Sequence, residues 1–278
     1  MQDSPKSPVA RIISMTLVGL VFGIPLYWVV ISSLRTESEI FAYLTPINWE
    51  TFFPTKITFE NLIGVWQSRF GPAIFNSVFV AAMTVLLGLI VCSLAAFALA
   101  VLPFKGRGVL FAVIIVSFLI PFDAIALPLY NIMLGMGLQN TYAGIILPGI
   151  GNGLAVFLLR QFFLGIPKEL HEAGRIDGLS WFAIFWKIYL PLSRPALIGA
   201  ALVLFIAQWQ AYLWPLIIAP AQHLKVAAVA IAEFATSFQV SFGMIFAASL
   251  YVSLIPMVTL LIFQRYFTAS VAATGGKE

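Results

Sequence analysis

Residues 74–102 read IFNSVFVAAMTVLLGLIVCSLAAFALAVL, a run without one Asp, Glu, Lys or Arg. As an α-helix it would rise about 43 Å, which exceeds the roughly 30 Å hydrocarbon core of a bilayer. The rest of the chain decides between a membrane span and a soluble core. Of its 278 residues 61% are hydrophobic and only 9% are charged, with a mean hydropathy of +1.01. Soluble domains run near a quarter charged, so this composition cannot cover a water-exposed surface. The fold class expected is an all-α integral membrane protein. The net charge of +4 is modest and gives nucleic-acid binding no support. One cysteine, Cys92, sits inside the run, which excludes a disulfide framework and a cysteine metal site.

Outward from this run, five more uncharged apolar stretches fall at about 12–33, 109–130, 142–164, 195–218 and 241–264. Six membrane helices in a single domain over 1–278 are expected. The stretch at 12–33 leads from Ile31 and Arg35 straight into Thr36 and Glu37 without a small-residue cleavage site. It reads as a retained helix, not as a signal peptide. Orientation follows from the basic residues. Eleven of the Lys and Arg fall on one side, from Lys6 and Arg11 through Lys105 and Arg107 to Arg265 and Lys277. Only four, Arg35, Lys56, Arg69 and Lys225, fall on the other. The positive-inside rule then places both termini of a multi-pass membrane protein in the cytoplasm. Outside lies a loop, 34–73, rich in aromatics (Phe41, Tyr43, Trp49, Phe52 and Phe53).

The chemistry that is missing narrows the function. No Gly-x-x-x-x-Gly-Lys-Ser/Thr loop occurs, so the chain is not expected to hydrolyse a nucleotide itself. His171 and His223 fall on opposite sides of the membrane, and neither a Gly-x-Ser-x-Gly nor a His-Glu-x-x-His motif is present. A polytopic membrane enzyme would need polar residues converging within the bilayer, and Asp123 alone does not supply them.

The cytoplasmic segment 165–194 is too long to be structureless in a compact protein. Pro167 can open a short helix that Gly178 breaks, and Ser180 can cap a second one. In the second helix Trp181, Ile184, Phe185 and Ile188 make one apolar stripe, which the membrane, the protein or a partner must cover. Two short helices joined by an Asp-Gly turn have the form of a docking element.

Here the sequence resembles a family. Glu172-Ala173-Gly174, then Asp177-Gly178, Ile188 and Leu190-Pro191, is similar to the EAA loop of ABC importer permeases. A glycine replaces the pattern's alanine at 174. Further matches to the maltose-type carbohydrate permeases are Ser33–Phe41, Thr58–Asn61, Asn76-Ser77 and Pro128–Tyr130. The resemblance implies a permease subunit of a binding-protein-dependent importer of a sugar or sugar derivative. It implies a second permease chain, two ATP-binding cassette subunits carrying ATP and magnesium, and an extracytoplasmic solute-binding protein. No cofactor is then expected on this chain. Within the same class, glycerol-phosphate or glycerophosphodiester import is the alternative. Glu172, Ala173, Gly174, Asp177, Gly178, Ile188 and Pro191 would form the ATPase-coupling element. The tail Thr268–Glu278 resembles the family's small-residue C-terminus, which reaches the ATPase pair.

Two features are candidates for the solute route. Asp123 falls about fourteen residues, or roughly 21 Å, into the third stretch, where a carboxylate should face the protein interior or a wet cavity. Phe205, Gln208, Trp209 and Tyr212 recur at i, i+3, i+4 and i+7 and are expected to share one helical face. Gln210, about 200° away, is expected to point elsewhere. The family usually carries Trp-Asn-Glu where this chain has Trp209-Gln210-Ala211.

Overall fold

The computed structural model describes residues 8–42, 46–235 and 240–275. Lys6, Tyr43, Lys277 and the last three residues of the tail lie outside them. Among the described residues the architecture is all-helical. Three helices are unbroken and apolar enough to cross a membrane: Ile12–Ser33, Phe70–Val101 and Phe242–Gln264. Three more candidates are bent pairs: Arg107–Leu119 with Phe122–Gly135 at 102°, Tyr142–Ile150 with Gly153–Leu164 at 41°, and Trp181–Leu192 with Arg194–Trp209 at 85°. Six crossings result only if each bent pair counts as one.

Two of the stretches expected as spans, 109–130 and 195–218, are interrupted as helices. The first breaks because Pro121 disfavours helical backbone at the residue before it, and Ile120 is extended (φ −72°, ψ 124°). The second ends at Trp209, and a separate short helix, Leu213–Ile218, follows it. The single domain expected over 1–278 packs as two compact units, and the chain passes between them after Gly71, Val229 and Leu254.

One unit comprises residues 1–71 and 230–254. Its first helix exposes Leu17, Leu20, Phe22 and Leu26, which lie on different sides of the helix. A helix exposed and apolar all round suits lipid. After it the chain turns on polar anchors. Arg35 is 1% exposed, and its Nη2 donates to the carbonyl oxygens of Glu50 and Thr51. The Asn61 amide donates to the Ser33 and Arg35 carbonyls, at 3.1 and 2.7 Å. The Glu37 carboxylate accepts from the backbone N–H groups of Phe242 and Gly243, at 2.6 and 2.9 Å. Negative charge at a helix N-terminus satisfies orphan donors and opposes the positive end of the helix dipole. The resemblance at Ser33–Phe41 and Thr58–Asn61 thus falls on residues that hold this unit together.

The other unit comprises residues 72–229 and 255–278. Its larger apolar cluster joins Phe97, Leu159, Phe163, Ile184, Phe185, Tyr189, Ala196 and Ala200. Ala196, Gly199 and Ala200 are buried along Arg194–Trp209, and small residues of this kind let membrane helices approach closely. A second cluster gathers Val80, Met133, Ile145, Trp214 and Ile218. The indole of Trp214 donates to the Gly144 carbonyl at 3.0 Å. Asn76 fastens the connection after Leu213–Ile218, its amide donating to the His223 and Lys225 carbonyls, both at 2.9 Å.

Removing the Glu37 carboxylate should leave the Phe242 and Gly243 N–H groups, at the start of the last helix, without this acceptor. Glu37→Ala is expected to lose about 1 kcal/mol, the usual value of an N-terminal cap, and Glu37→Gln about half of that. Denaturant unfolding of the purified chain in detergent measures both. Equal stability of all three proteins would show that the carboxylate caps nothing.

Candidate functional site

The segment 165–194 folds as a helix, a turn and a second helix. The first helix runs Lys168–Ile176 behind Pro167. It ends in two bonds, Leu179 N–H to the Gly174 carbonyl and Gly178 N–H to the Arg175 carbonyl, at 2.9 and 3.1 Å. This is a Schellman turn, and it requires left-handed backbone at Gly178, where φ is +82°. Arg175 locks the turn from outside: its guanidinium donates to the Leu179 carbonyl at 2.9 Å and lies 5.0 Å above the Trp181 ring. Ser180 Oγ then accepts from Ala183 N–H at 3.2 Å and caps the next helix.

The second helix is not uniform. Trp181–Ile184 is α-helical, Phe185–Tyr189 is π-helical, and Leu190–Leu192 completes it. Ile184, Phe185 and Tyr189 are buried, so the expected stripe is covered by the protein itself. The π turn adds one residue to the register and brings Tyr189 inward beside Phe97, with ring centroids 5.0 Å apart. Phe182 and Trp186 stack on one another on the exposed side.

The seven expected coupling residues divide by depth. Glu172, Ala173, Asp177, Gly178 and Pro191 are exposed, whereas Gly174 is buried and Ile188 is half-buried. A Cβ at Gly174 would lie 3.2 Å from Ile188 Cδ1 and 3.4 Å from Ile184 Cγ1. Glycine at 174 thus lets the two helices touch, and Ile188 is the residue it touches. The large apolar side chains left outside are Leu170, Ile176, Phe182, Trp186 and Leu192. Sequence reading missed the π turn and the bond between His171 Nδ1 and Tyr189 Oη, 3.0 Å long.

The second unit also holds a cavity of about 1060 Å³. Asp123, Thr84, Asn152, Gln208, Gln210 and Tyr212 supply polar groups to its wall. All three interruptions of helix in this region open onto it: Ile120–Pro121, Gly151–Asn152 and Gln210–Tyr212. Non-helical backbone at membrane depth is tolerated only where protein covers it or a wet cavity bathes it. Convergence of three breaks on one cavity matches the way broken helices build solute sites in transporters.

Of the route candidates, Asp123, Gln208 and Tyr212 line the cavity, and Phe205 and Trp209 do not. Asp123 stands in the first turn of Phe122–Gly135, past a 102° bend, so its depth cannot be measured along a straight helix. Tyr212 shares no helical face with Gln208, because the helix has ended at Trp209. Trp209 is 7% exposed and stacks on Phe205 with ring centroids 5.5 Å apart. Gln210, expected to face away, lines the cavity once the chain leaves the helix. Thr84 Oγ1 donates to Gln208 Oε1 at 3.3 Å.

Residues 88–272 match the family model described as "Binding-protein-dependent transport system inner membrane component". The chain belongs to this family. It is similar to the arabinooligosaccharides transport system permease protein AraQ of Halalkalibacterium halodurans, at 34% identity over 95% of each chain. It is also similar to the sn-glycerol-3-phosphate transport system permease protein UgpE of Agrobacterium fabrum, at 32% identity over 96% of this chain and 98% of that one. Among solved structures, a bacterial ABC transporter involved in import of the acidic polysaccharide alginate superposes with a TM-score of 0.79. It covers 96% of this chain and 99% of that one at 23% identity, and it shows the fold alone. The chain is thus a transport component of the inner membrane, not an enzyme.

Thiol accessibility separates the cavity wall from the helical face expected from spacing. In a Cys92→Ser background, Asp123→Cys, Gln210→Cys and Tyr212→Cys should react with a small hydrophilic maleimide. Phe205→Cys and Trp209→Cys should react at least tenfold more slowly. Fast labelling at 205 and 209 with silence at 210 would restore the helical-face reading.

Proposed function

We propose that this chain is one of two permease subunits in an ATP-driven importer of a neutral sugar or sugar derivative. The observation that carries the reading is the coupling element: exposed Glu172 and Asp177, with Ile176, Phe182 and Trp186, project from a scaffold buried in the membrane unit's own core. Ile176 is 87% exposed, and such apolar area on a cytoplasmic loop suits a partner protein. The partners are two ATP-binding cassette subunits, which carry ATP and magnesium. Their closure moves residues 168–192 and, through the packed cluster, the helices around the cavity. A solute-binding protein delivers cargo from outside, and the basic-residue bias puts both termini in the cytoplasm.

The cargo class rests on the cavity. Amides, hydroxyls and aromatic rings suit the hydroxyls and C–H faces of sugars. Among the lining residues Asp123 alone is charged, and no Lys, Arg or His joins it. A phosphate or carboxylate cargo would meet repulsion without a compensating cation. This favours the sugar reading over the glycerol-phosphate one, although relatives of both kinds match.

Glu172→Lys tests the coupling assignment. In membranes holding the full importer it is expected to reduce cargo-stimulated ATP hydrolysis at least tenfold, because like charge placed in an interface costs several kcal/mol. The amount of chain in the membrane should not change. Full uptake by this variant would contradict the assignment.

A further inference from the structure

The first helix of the coupling element is weakly held. Of the residues Lys168–Ile176 only Gly174 is buried, and it has no side chain of its own to pack. Arg175 bonds within the turn. Among the described residues, the only side-chain hydrogen bond from this helix to any residue beyond the turn is that of His171 with Tyr189. Its two ends differ sharply. His171 lies on the half-exposed side of the helix, with its ring 6.0 Å from Trp181 and 6.2 Å from Tyr189. Tyr189 is 1% exposed, and its ring meets Phe97 edge-on at 5.0 Å and Phe163 at 5.5 Å. Those two phenylalanines belong to Phe70–Val101 and Gly153–Leu164. The latter helix starts at Asn152 on the cavity wall, and the former carries Thr84 there. Tyr189 reaches this position because the π turn places it inward.

We propose that His171 and Tyr189 are positioning residues that transmit motion of the coupling helix to the cavity helices. This rests on the coupling reading given above and adds the residues that carry the movement. Without the bond, the coupling helix is attached through its Schellman turn and the Gly174 contact with Ile184 and Ile188, and it can tilt about them. With it, the helix is fixed at a second point about one turn away and moves with the Phe97–Phe163–Tyr189 cluster. The phenol serves either state of the imidazole, donating to a bare Nδ1 or accepting from a protonated one.

The test uses the complete importer in proteoliposomes, with its ATPase subunits and binding protein. Uptake per ATP hydrolysed is compared in the wild type, His171→Phe, Tyr189→Phe, the double variant and His171→Gln. Both Phe variants keep an aromatic ring and remove the bond. They are expected to co-purify with the ATPase subunits as the wild type does and to lose about three- to tenfold in uptake per ATP, the range for one hydrogen bond. The double variant should lose no more than either single one, since both remove the same interaction. His171→Gln, which keeps hydrogen-bonding atoms, should recover at least half. Wild-type coupling in both Phe variants would overturn the proposal. Additive losses would overturn it too, as would failed assembly in both variants, which would assign the bond to folding. If the wild-type chain itself does not associate with an ATPase, it is the coupling reading that fails.

Discussion

A backbone amide or carbonyl left unpaired in hydrocarbon costs several kcal/mol, because no water is there to replace the lost bond. The rest of this structure depends on that constraint. The lipid-facing first helix is continuous to Ser33, and Phe70–Val101 runs unbroken for 32 residues. Among the described residues, the break at Gly151–Asn152 shows side chains receiving the backbone. Asn152 Oδ1 accepts from Ala155 N–H at 3.0 Å at this break. The Cys92 thiol lies 3.4 Å from the Ile150 carbonyl just before it. The remaining exposed backbone faces the cavity. Polar residues and broken helices therefore coincide at the cavity for one physical reason, and that coincidence is a better guide to the proposed route than the spacing of aromatics.

The segment 168–192, under the proposed coupling role, faces a different problem: it would present an exposed face to a partner and stay joined to the membrane unit. Its residues divide accordingly. Ile184, Ile188 and Tyr189 pack inward and hold the second helix to the core, and Gly174 seats the first helix on Ile188, whereas Glu172, Asp177, Phe182 and Trp186 are exposed. Gly178 sets the angle between the two helices, because its φ of +82° is costly for any residue with a Cβ. The glycine at 174 follows from the same geometry. Alanine there would gain about 1 kcal/mol of helix propensity, but its methyl would press on Ile188.

Much of this was legible in the sequence. Uncharged length identifies the membrane helices, and Pro167, Gly178 and Ser180 mark the boundaries of the coupling helices where the structure has them. The bends were harder to read. Pro121 ends a helix, but Pro25, Pro128, Pro148 and Pro256 all lie inside helices, so proline alone does not locate a break. The assignment of Tyr212 and Gln210 to opposite faces failed because periodicity holds only while the helix continues, and this one stops at Trp209. The π turn at Phe185–Tyr189 leaves no mark in local composition. It appears only when Tyr189 packs against Phe97 and Phe163, which come from distant parts of the chain.

The central claim is that residues 168–192 form the contact with the ATPase subunits and carry its motion inward. Hydrogen exchange of the amides in Lys168–Leu192 measures that contact directly, with the chain in nanodiscs alone and then with the ATPase subunits bound. The account predicts slower exchange across Lys168–Gly178 and around Phe182–Trp186 on binding, with a smaller change in Ile188–Leu190, around the buried Tyr189. Unchanged exchange throughout the segment in a complex that is fully assembled would contradict it.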